Sequence, residues 1–498
     1  MLSTLNPDPS WLNSGDTAWQ LTSATLVGIM SIPGLAILYA GLMKRKFAVN
    51  SALMVVYAFA MTLVIWMFFA YDMSFGQPLH VAGAATTFVG IPHPVAGAGD
   101  LEQQASIPLL SGLIPALRFP MSSLVYFQFV FATITVIILG GALLGRISFK
   151  AWALFVPLWI TLVYSVGAFS LWGGGWLGSL GAVDYSGGYV IHVAAAVSAF
   201  VAAAVIGPRM LKDRQNNTPS NIMLAVAGGG LLWLGWSGFN GGDPYFANAD
   251  ASAAVLNTHL CTATALLTWM IMDIFFLKKP TILGMISGMI AGLVAITPGA
   301  GYVNAYAAFA IGIGAGVLPW LSMNVLGKTK LFTGRVDDTL GVFHTHGVAG
   351  AFGGLMTGVL ASPNMIVYVG TAGTASVAVT GLVYGNAKQL LLQVIALGFI
   401  IVYDAAATFV VIKLVGLIVP LRMTDRELEV GDLLLHGEVA IDMEPPEEVM
   451  SLNGHLSPTP VEAGSPVCGA PSVSSSQSRR PSSTCRAVSG LTNVAVPT

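Results

Sequence analysis

Eleven apolar runs of membrane-spanning length divide this chain of 498 residues, and they restrict its possible folds more than any other feature. A helix needs about 20 mostly apolar residues to cross the hydrocarbon core of a bilayer. Because that core offers no water to backbone N–H and C=O groups, such runs predict α-helices. We therefore expect an all-α polytopic membrane protein with eleven transmembrane helices, at 20–42, 50–71, 121–144, 151–172, 189–207, 221–240, 252–277, 281–297, 302–326, 339–361 and 390–420.

The composition agrees with this class and excludes others. Hydrophobic residues make up 55% of the chain and charged residues only 9%, whereas a soluble domain carries about 25% charged residues. The net charge of −2 does not indicate a nucleic-acid partner. Cys261, Cys468 and Cys485 are too scattered for a disulfide framework or a cysteine metal site.

The distribution of basic residues tests the number of runs. Cytoplasmic loops of membrane proteins carry an excess of Lys and Arg. The loops after even-numbered runs hold only Arg118 and Lys388. The segments after odd-numbered runs hold Lys44, Arg45, Lys46, Arg146, Lys150, Arg209, Lys212, Arg214, Lys278, Lys279, Lys328, Lys330, Arg335, Arg422 and Arg426. This alternation predicts an N-terminus outside the cell and a cytoplasmic C-terminus.

An acid followed eight residues later by a histidine occurs twice. Asp184 precedes His192 in DYSGGYVIH, and Asp338 precedes His346 in DTLGVFHTH. Eight helical residues rise about 12 Å, and half of the hydrocarbon core is about 15 Å thick. By the predicted topology the two helices enter from opposite faces, so both histidines should lie near the midplane. Transporters built from inverted repeats bind substrate at such a place.

Other interpretations of these residues stay open. Asp337 would pair with His344 at a spacing of seven, so spacing alone does not fix His346 as the second histidine. Each histidine could instead satisfy a hydrogen bond between helices, and each aspartate is well suited to capping a helix start. His344 and His346 point about 200° apart on a helix and cannot easily share an ion. We therefore expect no metal and no cofactor.

The repeat divides the chain into segments. We predict an extracellular N-terminus at 1–19, a first five-helix repeat at 20–207 and a second at 208–361. An outer loop and the eleventh helix follow at 362–421, and a cytoplasmic regulatory tail at 422–445. The Ser- and Pro-rich stretch 446–498 is expected to be disordered, and its Arg-Arg-Pro-Ser sequence at 479–482 resembles a site for a basophilic kinase.

At these motifs the sequence resembles the ammonium transporter family (Amt/MEP/Rh), with the plant branch nearer to the MEP-type members as the best match. The resemblance covers roughly residues 10–442. It is carried by GDTAWQLTSATLVG, MSIPGLAILYAGL, FSLWGGGW, DYSGGYVIH, GWSGFNGGDP, RVDDTLGVFHTHGVAG and LLLHGE. These motifs are specific in combination, whereas WGGG or FNGG alone would be weak.

The resemblance implies an eleven-helix protomer in a homotrimer, with one pore through each protomer. His192 and His346 would be the twin histidines of a narrow apolar pore, and Asp184 would support the outer site electrostatically. The aromatic residues implied in the pore are Trp172 and Phe127 at an outer ammonium site, Phe131 and Phe239 as a stacked gate, and Trp236 in the wall.

The chain departs from the family pattern at four positions. Asp243 stands where Ser or Gly usually follows Phe-Asn-x-Gly, and its charge would attract a cation unless it caps the next segment. His259 and Asp404 stand where Asn is common. Val430 replaces a common Gly two residues before Asp432, which leaves coupling through the tail less certain than the pore.

We therefore expect a transporter of ammonium, with methylammonium as an analogue, in a lipid membrane, which we predict to be the plasma membrane. NH₄⁺ would be recruited at the outer aromatic site and deprotonated, and NH₃ would pass with or without H⁺. Three alternatives remain: an ammonium sensor that signals through its tail, a Rh-like channel for NH₃ or CO₂, and an intramembrane enzyme. The last has no nucleophile–base pair to support it.

Overall fold

The computed structural model of the chain describes residues 9–81, 84–365 and 378–440. The predicted disordered stretch 446–498 and its kinase-type sequence at 479–482 lie outside the described residues. So does part of the outer loop before the eleventh helix.

The predicted spans appear as helices, numbered α1 to α11 in chain order. Within the described residues nine are long and apolar enough to cross a membrane: α1 (Ser14–Leu42), α2 (Arg45–Phe75), α3 (Met121–Gly141), α4 (Phe149–Leu180), α5 (Gly188–Ile206), α6 (Ile222–Gly242), α7 (Ala249–Leu277), α9 (Ala305–Lys328) and α11 (Ala387–Ile418). The eighth span, α8, is the shorter helix Ile282–Ile296. The tenth, α10, consists of a π-helical turn at Phe343–Val348 that continues into Ala349–Leu360.

Two features of the structure are not predicted by hydropathy. Helix α1 begins at Ser14 rather than near residue 20, because the Asn13 side chain accepts the Asp16 N–H at 3.0 Å and caps a polar first turn. The long outer loop after α2 contains an antiparallel hairpin of β1 (Pro78–Val81) and β2 (Ala84–Gly90). Apolar run length carries no information about either feature.

Contacts between loops divide the described bundle into two ends. At one end, loops that follow odd-numbered helices meet: Lys44 pairs with Asp213 at 2.9 Å, and Arg209 with Asp337 at 2.8 Å. At the other end Asp16, at the start of α1, pairs with Arg118 at 2.7 Å. The N-terminal and C-terminal ends of the helical bundle therefore lie on opposite sides, as an odd number of spans requires.

Ion pairs hold the basic end together. Lys44 and Lys46 both contact the buried carboxylate of Asp213, at 2.9 and 3.1 Å. Burial acts to raise the pKa of Asp213, but the two ammonium groups outweigh it and hold that pKa below its ordinary value. The loop after α1 is thereby tied to the loop after α5.

The tail after α11 folds back onto this end as two short helices, α12 (Asp425–Val430) and α13 (Asp432–His436). The Asp432 carboxylate accepts the backbone N–H groups of Val49 at 2.7 Å and Asn50 at 2.9 Å, in the first turn of α2. The turn between α12 and α13 is made by Gly431, which has a φ of +80°. The glycine that this turn requires is therefore present although Val430 replaces the more common one.

We expect Asp432→Ala to release the tail, because it removes the acceptor for two backbone N–H groups. A buried donor without a partner costs about 1–3 kcal/mol. Hydrogen–deuterium exchange of residues 422–436 in the purified protein should become faster. The matched control is Asp425→Ala, which removes an exposed acid from the same tail. Unchanged exchange in Asp432→Ala would contradict this account of tail docking.

Candidate functional site

Two aspartates fix the starts of α5 and α10. The Asp184 carboxylate accepts the N–H groups of Gly187, Tyr189 and Val190 at 3.2, 2.9 and 3.0 Å. The Asp338 carboxylate accepts those of Val342 and Phe343 at 2.9 and 2.7 Å.

These two helix starts lie at opposite ends of the bundle. Asp184 is at the end that contains Arg118, and Asp338 is at the basic end next to Asp337. Both helices begin with a π-helical turn, at Gly188–Val193 and at Phe343–Val348. The two repeats therefore use the same local device in opposite directions.

Each helix carries one histidine to a common point. The Nδ1 atoms of His192 and His346 are 3.2 Å apart, and both side chains are buried. The other candidate, His344, points elsewhere: its Nδ1 lies 2.8 Å from the Ser322 hydroxyl on α9. The structure thus separates the two histidines that spacing alone left open.

The Nδ1–Nδ1 contact restricts where protons can be. A hydrogen bond between two imidazole nitrogens needs one donor and one acceptor, so only one of the two Nδ1 atoms carries a proton. In the neutral pair, the Nε2 atom of the donating ring is then a bare acceptor, and that of the other ring is an N–H donor. The His192 Nε2 atom has no hydrogen-bond partner among the described residues. The pair can therefore offer both an acceptor and a donor to a small molecule.

Glycine allows α5 and α10 to approach closely enough for this contact. A Cβ atom at Gly350 would lie 2.7 Å from the Gly188 carbonyl oxygen and 3.2 Å from the His192 Cβ. A Cβ atom at Gly188 would lie 2.5 Å from Pro298. The second glycine of DYSGGYVIH therefore packs against neighbouring elements that a side chain would displace.

A column of aromatic rings leads from the histidines toward the end of the bundle that contains Asp184. Phe131 and Phe239 stack with centroids 4.2 Å apart and ring planes within 9° of parallel. The ring centroid of His192 lies 6.1 Å from that of Phe239 and 5.4 Å from that of Trp236. The Trp236 indole donates to the Thr297 hydroxyl at 2.9 Å, which fixes its orientation.

The outer end of this aromatic column is formed by α3 and α4. The ring centroid of Phe127 lies 4.7 Å from that of Phe131. The ring centroid of Trp172 lies 6.3 Å from that of Phe131, with 77° between the two ring planes. The Trp172 indole donates to the Asp184 carbonyl oxygen at 2.7 Å. Asp184 therefore orients Trp172 through its backbone while its carboxylate caps α5.

Asp243 follows α6 directly at this outer end. Its carboxylate lies beside Ser186, and its Oδ2 atom has no hydrogen-bond partner among the described residues. The Ser186 hydroxyl donates to the Phe239 carbonyl oxygen at 3.0 Å. Sequence reasoning missed Ser186 and Thr297 as supports of the site. Ser186 was nevertheless visible inside DYSGGYVIH.

A cavity of about 580 Å³ opens on the basic side of the histidine pair. Its walls include His346, Tyr39, Arg209, Asp337 and Asp338. The histidines thus stand between an aromatic column on one side and a mixed polar and apolar cavity on the other.

The remaining unusual residues lie apart from this site. Both ring nitrogens of His259 are hydrogen-bonded to side chains of α6, one to the Trp233 indole at 2.9 Å and the other to the Ser237 hydroxyl at 3.0 Å. Asp404 is buried in α11, and neither of its carboxylate oxygens has a hydrogen-bond partner among the described residues. Across those residues no three His, Cys, Asp or Glu side chains gather as metal ligands would.

The apolar helices of spanning length define a multi-pass membrane protein. Residues 18–441 match the model of the Ammonium Transporter Family. Ammonium transporter 2 of Arabidopsis thaliana is 49% identical over 434 residues, which are 87% of this chain and 89% of that protein. Ammonium transporter 3 member 3 of Oryza sativa subsp. japonica is 48% identical over 448 residues, 88% and 91% of the two chains. The chain belongs to the ammonium transporter family.

Solved structures agree with this assignment. The crystal structure of Saccharomyces cerevisiae Mep2 superposes with a TM-score of 0.71 at 28% identity, and the match covers 84% of this chain and 89% of that one. The family resemblance and the all-α multi-pass fold inferred from the sequence are confirmed. The protein is an ammonium transporter and not an enzyme, because its family and its relatives are transporters.

We expect Asp184→Ala to destabilise the protein, because three buried backbone N–H groups lose their acceptor. Loss of a helix cap typically costs about 0.5–2 kcal/mol. Asp184→Asn keeps one acceptor oxygen and should cost less. The measurement is the thermal unfolding midpoint of the detergent-purified protein, with the order wild type, then Asn, then Ala. Equal midpoints for wild type and Ala would show that the cap contributes nothing.

Proposed function

We propose that this chain moves ammonium by binding NH₄⁺ at the outer aromatic site, removing a proton and passing NH₃ along His192 and His346. The observation that carries the proposal is the 3.2 Å contact between the two Nδ1 atoms, buried below the stacked Phe131 and Phe239 rings. A neutral pair with one donor and one acceptor suits ammonia, which both donates and accepts hydrogen bonds.

The first step is capture of the cation. The faces of Trp172 and Phe127 attract a small cation by about 0.5–2 kcal/mol each. The Asp243 carboxyl group lies beside this site with its Oδ2 atom free of hydrogen bonds among the described residues, and in its ionised form it would add charge attraction. This attraction is modest, so the site can release the ion after capturing it.

The second step separates the proton from the amine. A bare cation is costly inside an apolar passage, and the stacked phenyl rings offer no oxygen ligand to replace its hydration. NH₄⁺ can give up a proton and continue as NH₃, whereas K⁺ cannot. The two histidines are suited to hand that proton on, because one ring of the neutral pair presents a bare Nε2 atom and the other an Nε2–H group. Whether H⁺ accompanies each NH₃ decides whether transport is electrogenic.

The setting of transport also forms part of the proposal. We propose a homotrimer in a plasma membrane with one substrate pore in each protomer, and a kinase acting on the cytoplasmic tail. Large apolar side chains such as Leu234 on α6 and Tyr306 on α9 are exposed in the single chain. They suit contact with lipid or with a second copy.

We expect His192→Ala and His346→Ala each to lower methylammonium uptake about tenfold or more, because loss of a proton-transfer group typically costs 10²–10⁴-fold. Uptake is measured in a host that lacks its own ammonium transporters and is normalised to the amount at the membrane. The matched control is His344→Ala, two residues before His346 and bonded to Ser322, which should transport at about the wild-type rate. Wild-type uptake by a variant with both His192 and His346 replaced would sink the role of the pair.

We expect Asp243→Ser to raise the apparent KM for methylammonium about threefold to tenfold with little change in maximal rate. A unit charge about 4 Å from a cation is worth roughly 1 kcal/mol even at the dielectric constant of bulk water. Asp243→Asn separates the two roles of this residue, since it keeps the shape but not the charge. If Asn behaves like wild type, Asp243 acts as a cap and not in recruitment.

A further inference from the structure

The base of the cytoplasmic tail is hydrogen-bonded to the loop between α3 and α4. The Met423 N–H donates to the Arg146 carbonyl oxygen at 2.9 Å, and the Ser148 N–H donates to the Leu421 carbonyl oxygen at 2.9 Å. Ile147 and Arg422 pair between these bonds as an antiparallel bridge. The position of the tail base therefore fixes the backbone on both sides of Ile147.

Arg146 extends from this bridge into the protein. Its side chain is fully buried, with 0% exposure. One terminal nitrogen, Nη1, donates to the Thr339 hydroxyl at 2.7 Å, and Nη2 donates to the Asp337 carbonyl oxygen. The guanidinium thus binds the segment 337–339, which lies a few residues before α10.

A second route from the tail reaches the same segment. The Arg422 side chain donates to the carbonyl oxygen of Pro208. The next residue, Arg209, binds Asp337 through two side-chain bonds, Nε to Oδ2 at 2.8 Å and Nη2 to Oδ1 at 2.9 Å. Its backbone N–H adds a third bond to Oδ2 at 2.8 Å. Asp337 is therefore held by two loops, each of which is attached to the tail base.

Asp337 is covalently next to Asp338, the residue that caps α10. Asp338 accepts the N–H groups of the first turn of α10, and His346 lies eight residues further on. A shift of Asp337 therefore moves the cap of the helix that carries His346. Contact between His346 and His192 is sensitive to such a shift, because hydrogen bonds weaken outside a narrow range of distance and angle.

We propose that Arg146, Arg209 and Asp337, the arginine–aspartate cluster, form a positioning device that sets His346 in the pore and ties it to the base of the tail. This inference deepens the proposed function, since it takes His346 as a working residue. None of the three needs to touch the transported molecule. When the tail is docked, the hydrogen bonds of the arginine–aspartate cluster stay formed. These bonds hold α10 in the position where His346 contacts His192.

The cost of disturbing the cluster supports a positioning role. Removing one partner of a buried ion pair leaves the other charge unpaired and is strongly unfavourable, whereas removing both is often tolerated. Arg209 and Asp337 are both buried, so the singly altered proteins relax by moving the segment that carries the free charge. The cavity beside Arg209, Asp337 and His346 provides room for that movement.

The first experiment is Asp337→Asn, which keeps the shape of the side chain and removes its charge. We expect the maximal rate of methylammonium transport per molecule to fall about tenfold with KM nearly unchanged, because a misplacement of about 1 Å can cost as much. The matched control is Asp273→Asn. Asp273 is buried at the basic end of α7, accepts from Trp320 at 2.8 Å and has no hydrogen bond to α10 or to the described part of the tail. Equal losses in both variants would overturn the positioning role.

The second experiment tests the pair by rescue. Arg209→Gln should lower the maximal rate as Asp337→Asn does, and the double variant should recover at least half of the lost rate, because neither member of the Arg209–Asp337 ion pair is then left charged without the other. Losses that simply multiply in the double variant would overturn the pairing. Protein amount at the membrane and the thermal unfolding midpoint are measured alongside, so a folding defect is recognised by its effect on amount and not on rate per molecule.

The third experiment tests the connection to the tail without using transport. Arg422→Ala removes the contact with Pro208, and hydrogen–deuterium exchange at residues 338–346 should become faster in the purified protein. If exchange became faster only in the tail and not at residues 338–346, the coupling would be overturned. This readout does not require His346 to act in transport. If His346→Ala transports normally while Arg422→Ala still loosens α10, then the proposed mechanism fails and the coupling stands.

Discussion

The contact between the His192 and His346 imidazoles is the interaction on which the rest of this architecture depends. Two polar rings can lie in the middle of a membrane protein only if each satisfies the other and both are shielded from lipid. That requires two helices that enter from opposite faces and end their approach within hydrogen-bonding distance. Asp184 and Asp338 fix where those helices begin, and Gly350 lets them meet at Gly188.

The surroundings of the pair are asymmetric although the two helices are built alike. One side is an aromatic column that ends at Trp172 and Asp243, and the other is a cavity lined by Arg209 and Asp337. In the proposed mechanism, the aromatic side would attract the cation and the cavity side would receive the neutral molecule. The asymmetry would then give the symmetric scaffold a functional direction.

The basic end performs two tasks with one set of charges. Positive loops orient a membrane protein during insertion, and here several of those cations also form specific pairs. Lys44 and Lys46 hold Asp213, while Arg146 and Arg209 converge on Asp337. The tail uses this end as its docking surface through Asp432. The same end of the bundle thus carries the topological charges and the contacts of the tail. Nothing in the structure explains why Asp404, buried in α11, has no hydrogen-bond partner among the described residues.

The sequence by itself determined the number of spans, their alternation and the eight-residue spacing of Asp184–His192 and Asp338–His346, because run length, loop charge and helical rise are local properties. It left His344 and His346 nearly equivalent, since seven and eight residues differ by little along a helix. It could not predict the early start of α1, which depends on a polar cap, or the hairpin β1–β2, which lies outside the apolar runs. Nor could it show that Arg146 reaches Asp337, 191 residues away. Only the tertiary structure decided those matters, because a side chain's partner across the bundle depends on how helices pack and not on the residues beside it in the chain.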